Sequence, residues 1–307
     1  MPELMENILN NINDEIYTLH SCALVSRHWC KMTIPILWQD PFGFDPRPSF
    51  ISNYFSSLGE YEKIMLKRCG IKEEFSKTIF DYARFLKVLK LWNLKYLNIE
   101  SATTLLRALA KNATQIKTLK FREYSHVNHV NDMLPLINSF MYIIKSQEQL
   151  RIINLVGVSY LTKLRGIISA LESQKNSLQE VRIDNCDFNT EFEVLNNCKN
   201  LETLRIMSFY PILSKMSKIL DYKISTLELN DYSIDARPIA LMLKKSGILL
   251  QRLSLVSEHE INEEPLLLEA IKSFCPNITC FRITNLVFST QLIELIGNLQ
   301  KLRFLSL

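Results

Sequence analysis

The sequence predicts an α/β protein in two parts. Three short N-terminal helices come first, and a solenoid follows, with parallel strands on its inner side and helices on its outer side. Three observations lead there. Aliphatic residues recur at helical spacing through the first forty positions; an apolar triplet with gaps of two residues and one returns from Tyr61 to Leu307; and helix-like stretches separate the triplets. The 307 residues, 47% hydrophobic and 22% charged, have the composition of a folded chain rather than a disordered one.

In the N-terminal part, Leu4, Ile8, Leu9 and Ile12 define an amphipathic helix over Glu3 to Ile12. Pro2 fits at its start, where a missing N–H costs nothing, and Asn13-Asp14 breaks it. A second helical stretch winds Leu19, Cys22, Ala23, Val25, Ser26 and Trp29 around one side. A third short apolar segment, Ile34-Pro35-Ile36-Leu37-Trp38, is stopped by Asp40-Pro41. Three such helices bury too little surface to be stable alone, so the segment packs on the rest of the chain or docks on another protein.

The triplets read Tyr61-Ile64-Leu66, Leu86-Leu89-Leu91, Ile116-Leu119-Phe121, Leu150-Ile153-Leu155 and Leu178-Val181-Ile183. They continue as Leu201-Leu204-Ile206, Ile224-Leu227-Leu229, Leu250-Leu253-Leu255, Ile278-Phe281-Ile283 and Leu302-Leu305-Leu307. Successive starts differ by 25, 30, 34, 28, 23, 23, 26, 28 and 24 residues. The repeats at Leu86 and Leu150 are less regular, and Leu94-Leu97-Ile99 offers a rival register to the former. Helical faces follow, such as Leu161, Leu164, Ile168 and Leu171, then Leu268, Ile271 and Phe274, then Leu292, Ile296 and Leu299. Thr190 with Glu193, Asp235 before Pro238, and Ser289 mark helix starts, and Gly247 marks a helix stop. One strand plus one helix cannot bury its apolar side, but stacked units can. Between the two parts, Pro41, Pro46 and Pro48 stiffen the chain, and Ile51, Tyr54, Phe55 and Leu58 suit a linking helix. The expected organisation is therefore 1–42, a linker at 43–60, and repeats over 61–307.

Two resemblances follow from these residues. Pro2-Glu3-Leu4-Met5-Glu6-Asn7-Ile8-Leu9 resembles the opening of an F-box, Leu24-Val25-Ser26-Arg27-His28-Trp29-Cys30 its central signature, and Ile36-Leu37-Trp38 its closing pair. The family usually has a leucine before Pro2, where this chain has Met1, so a truncated N-terminus is open. The triplets resemble leucine-rich repeats, and Cys198, Cys275, Cys69 and Cys186 stand where the cysteine-containing subtype places such residues. Together they imply a substrate receptor of Skp–cullin–F-box ubiquitin ligases. By position, the resemblance assigns contact with the Skp adaptor, and through it a cullin–RING ligase, to Pro2, Leu4, Ile8, Leu19, Val25, Trp29, Leu37 and Trp38. The repeats would bind a target protein that the sequence does not name. The alternative is a ligase-independent leucine-rich-repeat interaction scaffold, capped by the N-terminal segment.

Strand alternation turns the residues between and just after the triplet positions toward the inner face. Lys67, Lys90, Trp92, Lys120, Arg122, Arg182 and Arg205 would then form a largely basic stripe, suited to an acidic or phosphorylated target. No cofactor, metal or catalytic residue is expected. His126 and His129 lack a third ligand nearby, Cys30 and His28 face apart on a helix, and no phosphate loop or nucleophile motif is present. A formal charge of +4 spread over the length does not point to nucleic acid. The odd count of 7 cysteines suits a reduced interior, and the acidic residues Glu3, Glu6, Asp14 and Glu15 exclude a secretory leader in the first fifteen positions. With no apolar run long enough for a bilayer, a cytoplasmic or nuclear location and no membrane partner are expected. Because the last triplet, Leu302 to Leu307, has no covering helix after it, poor solubility without an extension is also expected.

Overall fold

A computed structural model of the chain describes residues 2–40, 59–68, 80–91, 99–122, 134–157, 166–186, 190–207 and 223–307. The chain forms two compact units, one of residues 1–120 with 131–150 and the other of residues 121–130 with 151–307. These units do not coincide with the expected division at 42 and 61, because the N-terminal helices share a unit with the first strands.

The first unit opens with α1 (Pro2–Asn11), α2 (Ile16–Val25) and α3 (Arg27–Leu37). Leu9, Leu19 and Ile36 form their buried core, with Ile12, Cys22, Trp29, Met32 and Leu37 packed against it. The stretch from Leu19 to Trp29 is not one helix, as its periodicity suggested. Ser26 is extended and its Oγ accepts the Trp29 N–H at 3.3 Å, capping α3 and separating it from α2. Nor is Ile34–Leu37 a separate segment. It is the end of α3, which holds Pro35 inside it.

Residues Tyr61, Ile64 and Leu66, expected to form the first repeat strand, lie in a helix, α4 (Glu60–Arg68). Tyr61 and Ile64 are exposed. An offset of three fits a helix face as well as a strand triplet, and the charges favour the helix. Lys63 pairs with Glu60 at 3.2 Å, and Lys67 and Arg68 sit in the last turn, where cations oppose the helix dipole. The repeats therefore start at Leu86. The linking helix expected around Ile51 to Leu58 and the rival triplet residues Leu94 and Leu97 lie outside the described residues; Ile99 begins α5.

A 3-10 turn (Tyr82–Phe85) leads into β1 (Val88–Lys90), followed by α5 (Ile99–Asn112), β2 (Thr118–Arg122) and α6 (Leu134–Ser146). β1 runs parallel to β2, with Leu89 beside Leu119. Leu105, Leu109, Phe140 and Ile144 of the covering helices are fully or nearly fully buried. Buried Gln147 completes its own hydrogen bonds, accepting from the Ile116 N–H and donating to the Ile143 carbonyl, both at 2.9 Å.

The N-terminal helices join β1 through a backbone bond pattern that the repeats then copy. The Gln39 carbonyl accepts the N–H groups of both Lys87 and Val88 at 2.9 Å. The Lys87 carbonyl accepts those of Lys117 and Thr118 at 2.8 and 3.0 Å. Gln39 thus fills the place of a preceding repeat. Beside it, the Asp40 carboxylate lies 2.5 Å from Lys90 Nζ, and Trp38 packs on Tyr82 with ring centroids 4.2 Å apart.

The second unit carries β3 (Ile152–Val156), β4 (Glu180–Asp184), β5 (Thr203–Met207), β6 (Thr226–Asp231), β7 (Arg252–Ser257), β8 (Cys280–Ile283) and β9 (Phe304–Ser306). Each is parallel to the next and in unbroken register, so Ile153, Val181, Leu204, Leu227, Leu253, Phe281 and Leu305 form one row. The triplets from Leu150 to Ile283 are buried throughout, while Leu305 and Leu307 are exposed. The covering elements are α7 (Ile167–Ala170) with a 3-10 turn, a 3-10 helix over Thr190–Asn197, α8 (Ala236–Ser246), α9 (Glu264–Phe274) and α10 (Thr290–Asn298). Asp235 caps α8 by accepting the Arg237 N–H at 3.0 Å, and Ser289 caps α10 by accepting the Leu292 N–H at 3.3 Å.

Gly247 stops α8 as its position suggested, but not for the reason a glycine stop usually implies. Its φ is −61°, ordinary right-handed backbone. Space is what demands glycine: an added Cβ would lie 2.7 Å from Cys275 Sγ and 2.8 Å from the Phe274 carbonyl oxygen. Cys198 and Cys275 are buried at equivalent places before their triplets, and burial pushes their thiols up to about 11 and about 12 respectively. Buried Cys186, just after β4, donates to the Asp184 carbonyl at 3.0 Å. Cys69 lies outside the described residues.

Gly247→Ala is expected to destabilise the chain by about 1–3 kcal/mol through overpacking. Gly297→Ala, a helical site with nothing within 4 Å of the new Cβ, is expected to stabilise it by up to about 1 kcal/mol. Thermal or denaturant unfolding of the two variants measures both signs. In native protein at about pH 8, Cys198 and Cys275 should resist a thiol reagent and react only on unfolding. As pH rises from the unfolded thiol range through about 11 to 12, stability should fall, since the unfolded thiols ionise before the folded ones.

Candidate protein-binding surfaces

Two surfaces emerge. On the N-terminal helices, residues assigned by resemblance to the adaptor fall into two groups. Leu4 is 61% exposed on α1, together with Ile8, and Val25 is 66% exposed at the end of α2. Leu19, by contrast, is fully buried in the helical core, and Trp29 and Leu37 are half-buried against it. Trp38 belongs to the join with Tyr82. Burial, and secondarily the Cys30 thiol, raise the Tyr82 phenol above its ordinary range. Leu19 therefore holds the helices together rather than facing a partner. Pro2 begins α1; its side chain lies outside the described ones. Leu24 (76% exposed), quoted in the central signature but not among the assigned contacts, and Tyr17 (91%), not singled out in the sequence, add to the apolar surface of α2. The signal was available: α2 is apolar nearly all round, which leaves some of it uncovered in a three-helix packing.

The second surface is the sheet face turned away from the helices. Alternation places its residues as expected: Asn154, Arg182, Arg205, Glu228, Ser254, Arg282 and Ser306 form one row across β3–β9. The basic stripe does not survive. Lys67 is on α4, far in kind from a strand position, and Trp92 lies outside the described residues. Lys90 is paired with Asp40. Lys120 is half-buried beside Lys90 in the ladder, and Arg122 is exposed at the end of β2. Arg182 pairs with Asp184 at 3.1 Å, two positions along its own strand. Arg205 bridges Glu180 at 2.8 Å and Glu228 at 3.0 Å, reaching to the strand on either side. Reading cations alone missed these partners because parallel register, not sequence proximity, brings them together. The Nε of Arg205 is close to Glu228 but poorly aligned for a hydrogen bond, so the contact is chiefly ionic.

No group of three or more His, Cys, Asp or Glu side chains is placed to hold a metal ion among the described residues. No helix among them is long and apolar enough to cross a membrane. His126 and His129 lie outside them.

Removing Arg205 takes from both Glu180 and Glu228 the cation that bridges them. Arg205→Ala is therefore expected to cost about 1 kcal/mol, above an ordinary surface pair. A double-mutant cycle with Glu228→Gln, read by unfolding, should recover part of that loss.

No protein-family model matches the chain, and no curated protein matches it in sequence. Among solved structures, an internalin from Listeria monocytogenes is similar at 14% sequence identity with a TM-score of 0.42. The similarity covers 74% of this chain and 62% of that chain, so it spans less than two thirds of the internalin.

Proposed function

We propose that the chain is the substrate-recognition subunit of a Skp–cullin–F-box ubiquitin ligase. Its N-terminal helices dock on the Skp adaptor, its leucine-rich repeats bind a target protein, and ubiquitin transfer is the work of partner enzymes. One observation carries most of the reading. The N-terminal helices join the 3-10 turn through Trp38 and β1 through Gln39 and Asp40, yet a different set of large apolar residues, Leu4, Ile8, Leu24 and Val25, remains exposed. A segment serving only the fold has no use for that exposed set, whereas an apolar docking surface needs it. The residues that resemble an F-box lie on the same helices. A receptor acts by proximity, so a backbone-bonded join between docking helices and first repeat suits the role.

The second reading is a ligase-independent interaction scaffold. Its support is the same Gln39 carbonyl, which makes the helical segment an N-terminal cap for the repeats of the first unit.

Adaptor co-precipitation separates the two. Leu4→Asp with Val25→Asp changes exposed positions and should leave the thermal midpoint within a few degrees of wild type. Under the ligase reading, it should lower adaptor recovery by at least about tenfold, the loss of one or two interface anchors. Recovery equal to wild type, or no adaptor with the unaltered chain, would leave the scaffold.

A further inference from the structure

The exposed sheet face of the second unit divides into two electrostatic regions. Over β4–β6 its ionisable residues are Glu180, Arg182, Asp184, Arg205 and Glu228, two cations against three carboxylates, joined in ion pairs. Over β7–β9 the same face carries Arg252 and Arg282 and no carboxylate. Both arginines are exposed, and neither guanidinium has an ion-pair or hydrogen-bond partner among the described residues. Their surroundings are small or apolar: Ser254, Cys280 and Ser306, with Phe304 exposed on β9.

The register fixes their spacing. Arg252 stands beside Cys280, and Arg282 is two residues further along that neighbouring strand. With strands about 4.8 Å apart and a rise of about 3.3 Å per residue, the two Cα atoms are about 8 Å apart. Carboxylates at alternate positions of an extended chain repeat at about 6.6–7 Å, within reach of two guanidinium forks so placed. The ion-paired network on β4–β6 cannot offer this, because each of its arginines is already engaged.

We infer that Arg252 and Arg282 bind an acidic, extended segment of the target protein, with an apolar side chain of that segment against Phe304. The inference rests on the sheet face being the target surface, as proposed above, but not on the adaptor.

The test uses the full chain and a fluorescein-labelled peptide of about twelve residues alternating Glu and Ala, read by fluorescence anisotropy. A Lys–Ala peptide and an oligothymidylate of the same length serve as comparisons. The Glu–Ala peptide should bind, more weakly as salt rises. Arg252→Glu with Arg282→Glu should reduce its affinity by at least about tenfold, whereas Lys244→Glu with Lys245→Glu, the same charge change on α8, should change it by less than about twofold. Should the first pair lower the thermal midpoint, Arg252→Gln with Arg282→Gln provides the same comparison without reversed charge. Equal losses from the two sites, tighter binding of the oligothymidylate, or no binding of the acidic peptide would each overturn the inference. Adaptor co-precipitation from the same preparations should be unchanged in every variant. Peptide binding without adaptor binding would remove the ligase reading and leave this site standing.

Discussion

One carbonyl oxygen per repeat, accepting two backbone N–H groups from the next, is the constraint on which the architecture depends. In the second unit it passes from Arg151 to Gln179, Glu202, Ser225, Gln251 and Thr279, each accepting from the two residues that enter the following strand. The first unit shows the same step from Gln39 to Lys87 and onward. Because the acceptor stands just before each strand, the register is set before the strand begins. The apolar triplet then falls on the buried face in every repeat, and a slip of one residue would expose it. Buried backbone groups must be paired, and this bond satisfies two donors that strand entry would otherwise strand.

That constraint explains how a helical segment can head a stack of strands. A first strand has no preceding repeat, so its entering N–H groups need an acceptor from elsewhere. Gln39 supplies it directly after α3, and Asp40 and Trp38 fix the join with an ion pair and a ring contact. Capping therefore uses the exit of the helical segment, while among the described residues α1 and α2 pack on a small core centred on Leu9, Leu19 and Ile36. Among the described residues, Leu4, Ile8 and Val25 stay exposed outside that core.

The repeats were legible wherever the triplet marks a strand, from Leu86 to Leu302, because burial of a fixed face every 23 to 34 residues leaves a pattern local in sequence. Tyr61 was misread since three apolar offsets cannot tell a helix face from a strand without its flanking charges. Ser26 was misread since Ser within an apolar period can be a helical residue or a cap, and only its extended backbone decides. The site fared worse than the fold. Partners such as Glu180 and Glu228 for Arg205 lie 25 and 23 positions away and meet only through register. A list of cations therefore overstates the positive charge of the face. Leu19 illustrates the reverse error, a position assigned by resemblance to a partner but consumed by the core.

What remains free to specify a partner follows from what is already fixed. Triplet side chains are committed to the core, and the backbone N–H groups of strand-entry residues to the carbonyl ladder. The end of α8 is held by close contacts: Cys275 Sγ and the Phe274 carbonyl approach Gly247 too closely to admit even a methyl group. In β3–β9 the side chains at the alternate, solvent-facing strand positions escape all three demands. Within these, β4–β6 spend their charges on one another, which stiffens that part of the face but leaves little net attraction for a ligand. On β7–β9, Arg252, Arg282 and Phe304 serve neither the core nor an ion pair. Exposed arginines aligned by register, with an aromatic beside them, retain the desolvation and charge terms that a binding partner can use. The same physics that makes the repeats interchangeable inside makes them distinct on this face.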